Sequence, residues 1–441
     1  MQLTGWGRYP RHETGVLEPD DFSEVTKLHR AGAGFVARGN GRAYGDAAVG
    51  LTSTLLTRRL DRMISFDPPT GRLEVEAGVL LADILDFAVP RGFFPPVVPG
   101  TKFVSVGGMI AADIHGKNHH IDGGFGRHVE TFDLALPDGS RVTCSARDNS
   151  ELFKATIAGM GLTGTILSAA FRLRRIETSL MQQRTIVAAD LDAAMAALAA
   201  SLDATYSVAW IDCLAQGAHL GRALVYRGEH VRADALPHRA PAFQPARKSH
   251  MGVPFDIPSL MLNRLSVAAF NEIYFRRSAA KAGRDFLLAC NPYFFPLDGI
   301  ADWNRIYGAP GFVQHQCVIP KATSRAAFGE ILDRISSLGT PSFLAVLKLL
   351  GTGDGLMSFP LEGYTLALDF PVSAGTLRLL DEIDAIVVAA GGRLYLAKDA
   401  RQAPATFERG YAHALPQFRE IRRAIGAAGK IESRLSRRLA F

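Results

Sequence analysis

The stretch GFVARGNGRAYGD, Gly34 to Asp46, runs a short apolar segment straight into a loop that carries three glycines in seven residues. An apolar run of this length reads as a buried strand, and closely spaced glycines after it free the backbone N–H groups of side-chain bulk. Such groups can converge on a diphosphate as an anion nest. A second cluster, PGTKFVSVGGMIAADIHG, follows about 60 residues on, with Gly100, Gly107 and Gly108 flanking an apolar stretch. Each loop alone is a weak signal. The pair, carried on one run of strands and helices, points to a phosphate-bearing ligand.

The surrounding pattern supports that placement. DFSEVTKLHR, Asp21 to Arg30, reads as a helix with Asp21 as cap and Glu24 closing a capping box. STLLTRRL and RLEVEAG read as strands on either side of a DPPTG turn, and LLADILDFAVPRG as a helix. Alternation of strand and helix argues for an α/β arrangement. Gly159-Met-Gly161-Leu-Thr-Gly164 is a literal GxGxxG, but helix-like ELFKATIAG precedes it and strand-like TILSAAF follows. That order is the reverse of the dinucleotide fingerprint, so these glycines are expected to make a turn.

From about Thr178 the chain passes into longer units, AADLDAAMAALAASL and SRAAFGEILDRISSLG among them, which suggests a second domain. With 441 residues, 48% of them hydrophobic, two or three domains have ample core. PHRAPAFQPARKSHMGVPFDIP, Pro237 to Pro258, is too rich in proline for helix or sheet and reads as a lid or a solvated linker. The four cysteines stand far apart with no CxxC pair, which suggests neither a zinc knuckle nor a disulfide framework. No apolar stretch approaches the roughly 18 residues that span a bilayer, and no secretory h-region is seen. A net charge of +6 favours anionic partners, but the basic residues are dispersed rather than interleaved with aromatics, which argues against nucleic acid.

DIHGKNHH, Asp113 to His120, concentrates three histidines and a lysine. His115 and His119 have the spacing of a zinc-binding helix face, yet Gly116 and Gly123-Gly124 disfavour a helix, and no carboxylate takes the HExxH position. No metal is therefore expected. Two readings stay open: histidines bonded to backbone in a plain loop, or an imidazole placed to meet a reacting group.

RGNGRAYGDAA, PGTKFVSVGGMIAADIHGKNHH, GMGLTGTIL and GGRLYLAKDAR together resemble the decaprenylphosphoryl-β-D-ribose 2′-oxidase family, FAD enzymes of the vanillyl-alcohol-oxidase/p-cresol-methylhydroxylase class. The likeness extends from Gly5-Trp6-Gly7 to the terminal SRLSRRL. It implies an α+β, two-domain fold. An FAD-binding domain of residues 1–177 would be completed by a returning segment, 393–441, and a substrate domain, 178–392, would be built on an antiparallel sheet flanked by helices.

The resemblance also implies site residues. Arg38, Gly39, Asn40, Gly41, Arg42, Ala43, Tyr44, Gly45, Asp46 and Ala47 would wrap the FAD diphosphate, with Tyr44 near the flavin. Gly100, Thr101, Ser105, Val106, Gly107 and Gly108 would line the cofactor, His115, Gly116, Lys117 and Asn118 would lie beside the isoalloxazine, and Ile166 and Tyr395 would complete the contacts. Gln314, Gln316, Lys348, Thr365 and Lys398 would hold substrate; alternation in FVQHQ puts the two glutamines on one strand face. Arg42 stands where relatives in the wider class carry the histidine of RGxGHS that tethers FAD, so the cofactor is expected to be non-covalent.

The implied reaction is oxidation of the 2-hydroxyl of a polyprenyl-phosphate pentose to the 2-keto sugar. A separate NAD(P)H-dependent short-chain reductase would complete epimerisation to arabinose for cell-envelope glycans. Lys398 or His115 would act on the hydroxyl proton. Alternatives are a soluble sugar, alditol or aldonolactone oxidase and a catalytically silent FAD-binding scaffold. The chain departs from mycobacterial members at Thr365, Ala367, Ala345 and Phe294, where they carry asparagine, cysteine, asparagine and tyrosine. An electrophile aimed at that cysteine should find no partner at Ala367. The expected location is cytoplasmic or peripheral to a membrane, with PAFQPARKSHMGVPF as the contacting segment.

Overall fold

The computed structural model describes residues 1–236, 241–243, 251–258, 261–339 and 342–441. The protein is α+β. A small parallel sheet orders Gly15–Leu17, Ser53–Leu56 and Phe35–Arg38, with Ser53–Leu56 central. Beside it, a five-stranded antiparallel sheet runs in the order Arg141–Ser145, Val129–Ala135, Thr165–Arg172, Arg72–Glu76, Met63–Asp67. The α/β expectation from alternation is thus corrected. Apart from the small sheet and the short pair Met251–Gly252 with Ile300–Ala301, paired strands run antiparallel; Met63–Asp67 and Arg72–Glu76 fold back directly over the DPPTG turn. Alternation along a sequence does not specify crossover connections, and only crossovers make parallel neighbours.

Local signals hold with small shifts. Asp21 caps the helix Phe22–Arg30 by accepting from Glu24 N at 2.9 Å. The Glu24 carboxylate reaches back to Asp20 N rather than Asp21, also at 2.9 Å, so the capping box closes one residue early. The helix predicted over LLADILDFAVPRG is α-helical over Leu81–Ala88 and tightens to a 3₁₀ turn at Val89–Arg91, where Pro90 lacks the N–H an α-helix needs. The GxGxxG stretch lies between the helix Ser150–Thr156 and the strand Thr165–Arg172, and Gly161 has φ +75°. It is a turn.

The largest element is an eight-stranded antiparallel sheet, ordered Asp285–Ala289, Leu180–Ala188, Ala223–His230, Tyr206–Ile211, Ala345–Leu350, Gly363–Pro371, Phe312–Pro320, Arg393–Leu394. Period-2 alternation divides its residues. Val313, Cys317 and Ile319, with Leu347, Leu366 and Leu368, pack against the helices Leu191–Ala199, Lys321–Leu338 and Ala374–Ala389. The intervening residues face the other way, into a cavity.

Of the proline-rich segment Pro237–Pro258, residues 237–240 and 244–250 lie outside the described residues. The described part includes Met251–Gly252, which pairs in parallel with Ile300–Ala301, and Asp256, which forms an ion pair with Arg8.

The last strand carries the C-terminal segment onto the first glycine loop. Tyr44 N donates to Ala397 O at 2.9 Å, and Arg438 pairs with Asp46 at 2.8 Å and Asp399 at 3.0 Å. Burial alone would raise the Asp399 carboxyl; Arg438 and the N–H groups of Gln402 and Arg401 hold it below its ordinary value. Arg438→Met strands two buried carboxylates and is expected to destabilise the protein by about 3 kcal/mol, read by chemical denaturation. Because the folded pKa of Asp399 is depressed, its contribution is full above the ordinary carboxylate range. It is lost as pH falls through the lowered value, so the difference between wild type and variant should shrink in acid.

Candidate active site

A cavity of about 420 Å³ lies between the two glycine loops and the open face of the eight-stranded sheet. The loops touch: a Cβ on Gly39 would come within 1.8 Å of Ser105 Oγ, and Asn40 Nδ2 donates to Phe103 O at 2.8 Å. Ser105 in turn caps the short helix Val106–Ala111. At Gly100, which lines the cavity, a Cβ would meet no atom within 4 Å. The backbone is therefore bare toward open space on this wall.

Most of the residues expected at the site converge here. Gly39, Asn40, Gly41, Arg42, Ala43, Tyr44, Ala47, Gly100, Thr101, Ser105, Gly107, Gly108, His115, Gly116, Lys117 and Ile166 line the cavity, as do Gln314, Gln316, Lys348, Tyr395 and Lys398. Six do not. Arg38 lies under its own loop, donating to Thr4 O at 2.6 Å; Gly45 packs on Asp399 O; and Asp46 is held by Arg438. Val106 is buried in the core, Asn118 donates to Pro96 O and Asp122, and Thr365 lies behind Gln316. These six shape the wall from outside it. Their motif positions show which segment forms the site, not which side chains enter it.

DIHGKNHH is a loop up to Asn118 and a single helical turn at His119–Asp122. His115 is buried, with Tyr395 and Phe359 at ring distances of 5.0 and 5.5 Å. Gln316 Nε2 lies 2.9 Å from His115 Nε2 and 3.2 Å from Thr365 Oγ1. With the amide donating to both, His115 Nε2 accepts and Nδ1 carries the hydrogen. That Nδ1 is buried with no hydrogen-bond partner among the described residues. Burial, then the positive charges of Lys348 and Lys398 and the neighbouring His119, keep the imidazole neutral well below its usual range. His119 is bonded differently, accepting from Gly351 N at 3.1 Å.

Across the sheet, Gln314 stands opposite Asp369 and Gln316 opposite Ala367, while Lys348 stands opposite Thr365. Lys398 arrives from the C-terminal segment with Nζ 3.5 Å above the Tyr44 ring centroid. Lys117 lies over Tyr293 at 4.1 Å and donates to its carbonyl. Burial lowers Lys117 to about 7, with Lys348 adding to the effect, and lowers Lys348 itself to about 8. Lys398 is also pushed down by burial and by Lys348, against the pull of Asp369.

Asp369 was not legible as a site residue. Its carboxyl is raised by burial, opposed by the bond donated from Gln314 and by nearby Lys398. Its second oxygen, Oδ2, has no partner among the described residues. Alternation in GYTLALDF, extended two residues past Ala367, identifies it. Trp6, which stacks on Arg42 at 3.8 Å, and the cavity-lining Trp210 and Tyr226 were also missed; no local motif marks them.

Residues 15–145 match the FAD binding domain family. Over 451 aligned residues the chain is 36% identical to decaprenylphosphoryl-beta-D-ribose oxidase of Mycolicibacterium smegmatis, covering 99% of this chain and 97% of that protein. The chain belongs to the decaprenylphosphoryl-β-D-ribose oxidase family. An uncharacterized protein of Streptomyces coelicolor is 34% identical over 82% of this chain and all of its own length. A D-arabinono-1,4-lactone oxidase of Yarrowia lipolytica is 26% identical over 30% of this chain and 26% of its own. The protein is an FAD-dependent oxidoreductase acting on CH–OH groups. The cavity fits that cofactor: Gly100 leaves backbone bare to it, and His115 Nδ1, without a hydrogen-bond partner among the described residues, can donate into it. Among the described residues, no helix is long and apolar enough to cross a membrane.

Proposed function

We propose that this oxidase acts on the 2-hydroxyl of a polyprenyl-phosphate-linked pentose, of the decaprenylphosphoryl-β-D-ribose kind, and yields the 2-keto sugar. The observation that carries the reading is the convergence of Lys117, Lys348 and Lys398 on one cavity whose sheet face also presents Gln314 and Gln316. Three half-buried lysines line the cavity with one carboxylate among its described lining residues, Asp298, and with Asp369 beneath Gln314, an excess of basic groups suited to an anionic substrate. Amide side chains beside them suit sugar hydroxyls. The relative in Mycolicibacterium smegmatis is named for such a substrate.

On this reading residues 1–177 and 393–441 hold FAD and 178–392 hold the sugar. The cofactor is bound without a covalent link, since Arg42, stacked on Trp6, takes the tethering position. Bound FAD supplies the hydride acceptor. Lys398, whose amine is neutral at lower pH than an exposed lysine, accepts the proton of the sugar hydroxyl. His115 keeps its ring fixed through Gln316 and offers Nδ1–H as a donor. Lys348 and Lys117 hold the phosphate. A keto product of this kind needs a separate NAD(P)H-dependent short-chain reductase to complete epimerisation to arabinose.

Ala367 stands in the cavity, and no cysteine lines it among the described residues. An inhibitor that works by capturing a thiol at that place is without a target.

Lys348→Met should raise KM for the phosphorylated sugar by about 10- to 100-fold, the loss of one charge-assisted contact, and, because Lys348 also holds the Lys398 amine down, move the acidic limb of kcat to higher pH while leaving kcat above that limb little changed. Steady-state kinetics with a short-chain polyprenyl phosphopentose check this. The function itself is tested by trapping the product with borodeuteride: one deuterium at C2 is expected. Label elsewhere, or equal turnover of free ribose, would contradict the reading.

A further inference from the structure

The helix Arg264–Ala279 packs one face inward and turns outward an apolar strip beside the ion-paired Glu272 and Arg276. Its inner face buries Val267 and Asn271, and Tyr274 bonds the Tyr226 hydroxyl at 2.8 Å; both tyrosines line the cavity. The outer face carries Leu265, Ala269 and Ile273 at i, i+4 and i+8, with Phe270 beside them. Leu265 is 81% exposed and Ile273 54%, while Phe270, 40% exposed, packs its ring on Phe343 and Tyr274. Met261, just before the helix, is exposed too. Leu265, Ala269 and Ile273 form a continuous exposed apolar strip beside the Glu272–Arg276 pair, and an exposed strip of this kind marks a contact surface.

What it contacts is indicated by charge. Arg277, at the last turn, and Lys281 and Arg284, just beyond it, are exposed and form no ion pair among the described residues; Arg276 is tied to Glu272. An apolar stripe ending in unpaired basic residues is the pattern of a helix lying in the headgroup layer of an anionic bilayer.

We propose that the outer face of this helix docks the enzyme on an anionic membrane surface, with Leu265, Ala269 and Ile273 entering the acyl boundary and Arg277, Lys281 and Arg284 meeting lipid phosphates. The same helix walls the cavity on its other side, so docking here brings the site against the bilayer that holds a lipid-linked sugar. This rests on the proposed substrate class. It places the contact on a formed helix, where the sequence had suggested the proline-rich segment before it.

The test is sedimentation of the FAD-loaded enzyme with vesicles of phosphatidylcholine alone or mixed with phosphatidylglycerol. Binding is expected to the mixed vesicles only and to weaken with salt. L265S/I273S should lower partitioning by about tenfold or more, the loss of two buried apolar side chains, and R277E/K281E should abolish it. In both variants the flavin spectrum and turnover of a water-soluble short-chain substrate should match wild type, while turnover of vesicle-embedded substrate falls. Wild type that ignores anionic vesicles, or a wild-type dimer dissolved by L265S/I273S, would overturn the proposal. Vesicle binding without oxidation of any phosphopentose would instead count against the substrate reading alone.

Discussion

A Lys398→Ala enzyme should stay yellow and lose turnover by about 10²- to 10⁴-fold, the range general-base removal produces. Lys398 sits where the C-terminal segment meets the glycine loop: Tyr44 N bonds Ala397 O, and the Lys398 ammonium lies over the Tyr44 ring. Its loss removes the proton acceptor without touching the glycine walls, so FAD content should be retained. Rapid mixing under anaerobic conditions separates the two effects. Flavin reduction slowed in proportion to turnover is the expected result; wild-type reduction rates would remove Lys398 from the chemistry.

Asp369→Asn should act through Lys398. The carboxylate raises the amine's pKa, opposing burial and Lys348, so removing its charge lets that pKa fall further. A base works in its deprotonated form; the acidic limb of kcat/KM therefore moves to lower pH, by about one unit. Turnover at the optimum should drop about tenfold or more, because Gln314 loses its charged partner and part of the sheet face is freed. A pH profile superimposable on wild type would show that Asp369 is merely a buried structural carboxylate. Asp369→Glu, which keeps the charge, should restore the limb.

How much was legible follows from what kind of signal each feature carries. The glycine loops were readable because bare backbone has one sequence signature, and DIHGKNHH because it sits directly after them. The face shared by Gln314 and Gln316 followed from period 2 alone. Asp369 shares a strand face with Thr365 and Ala367, so the same alternation could have found it; what the sequence does not show is that it lies buried under Gln314 rather than on the cavity wall. That the side chains of Arg38, Asp46 and Asn118 turn away from the cavity was hidden for the converse reason. A loop's polar residues can face the ligand or brace the loop, and only the tertiary contacts with Thr4, Arg438 and Pro96 decide which. The antiparallel character of the sheets was hidden in the same way, since pairing partners are set by long-range register, as with Phe312–Pro320 against Gly363–Pro371.

The most direct measurement is the long-wavelength flavin absorbance of the purified protein under anaerobic conditions, before and after addition of a farnesylphosphoryl ribose analogue. Bleaching by the phosphopentose, and none by ribose at the same concentration, is the predicted result. A flavin band left intact by the phosphopentose but bleached by a free sugar or aldonolactone would contradict the proposed substrate.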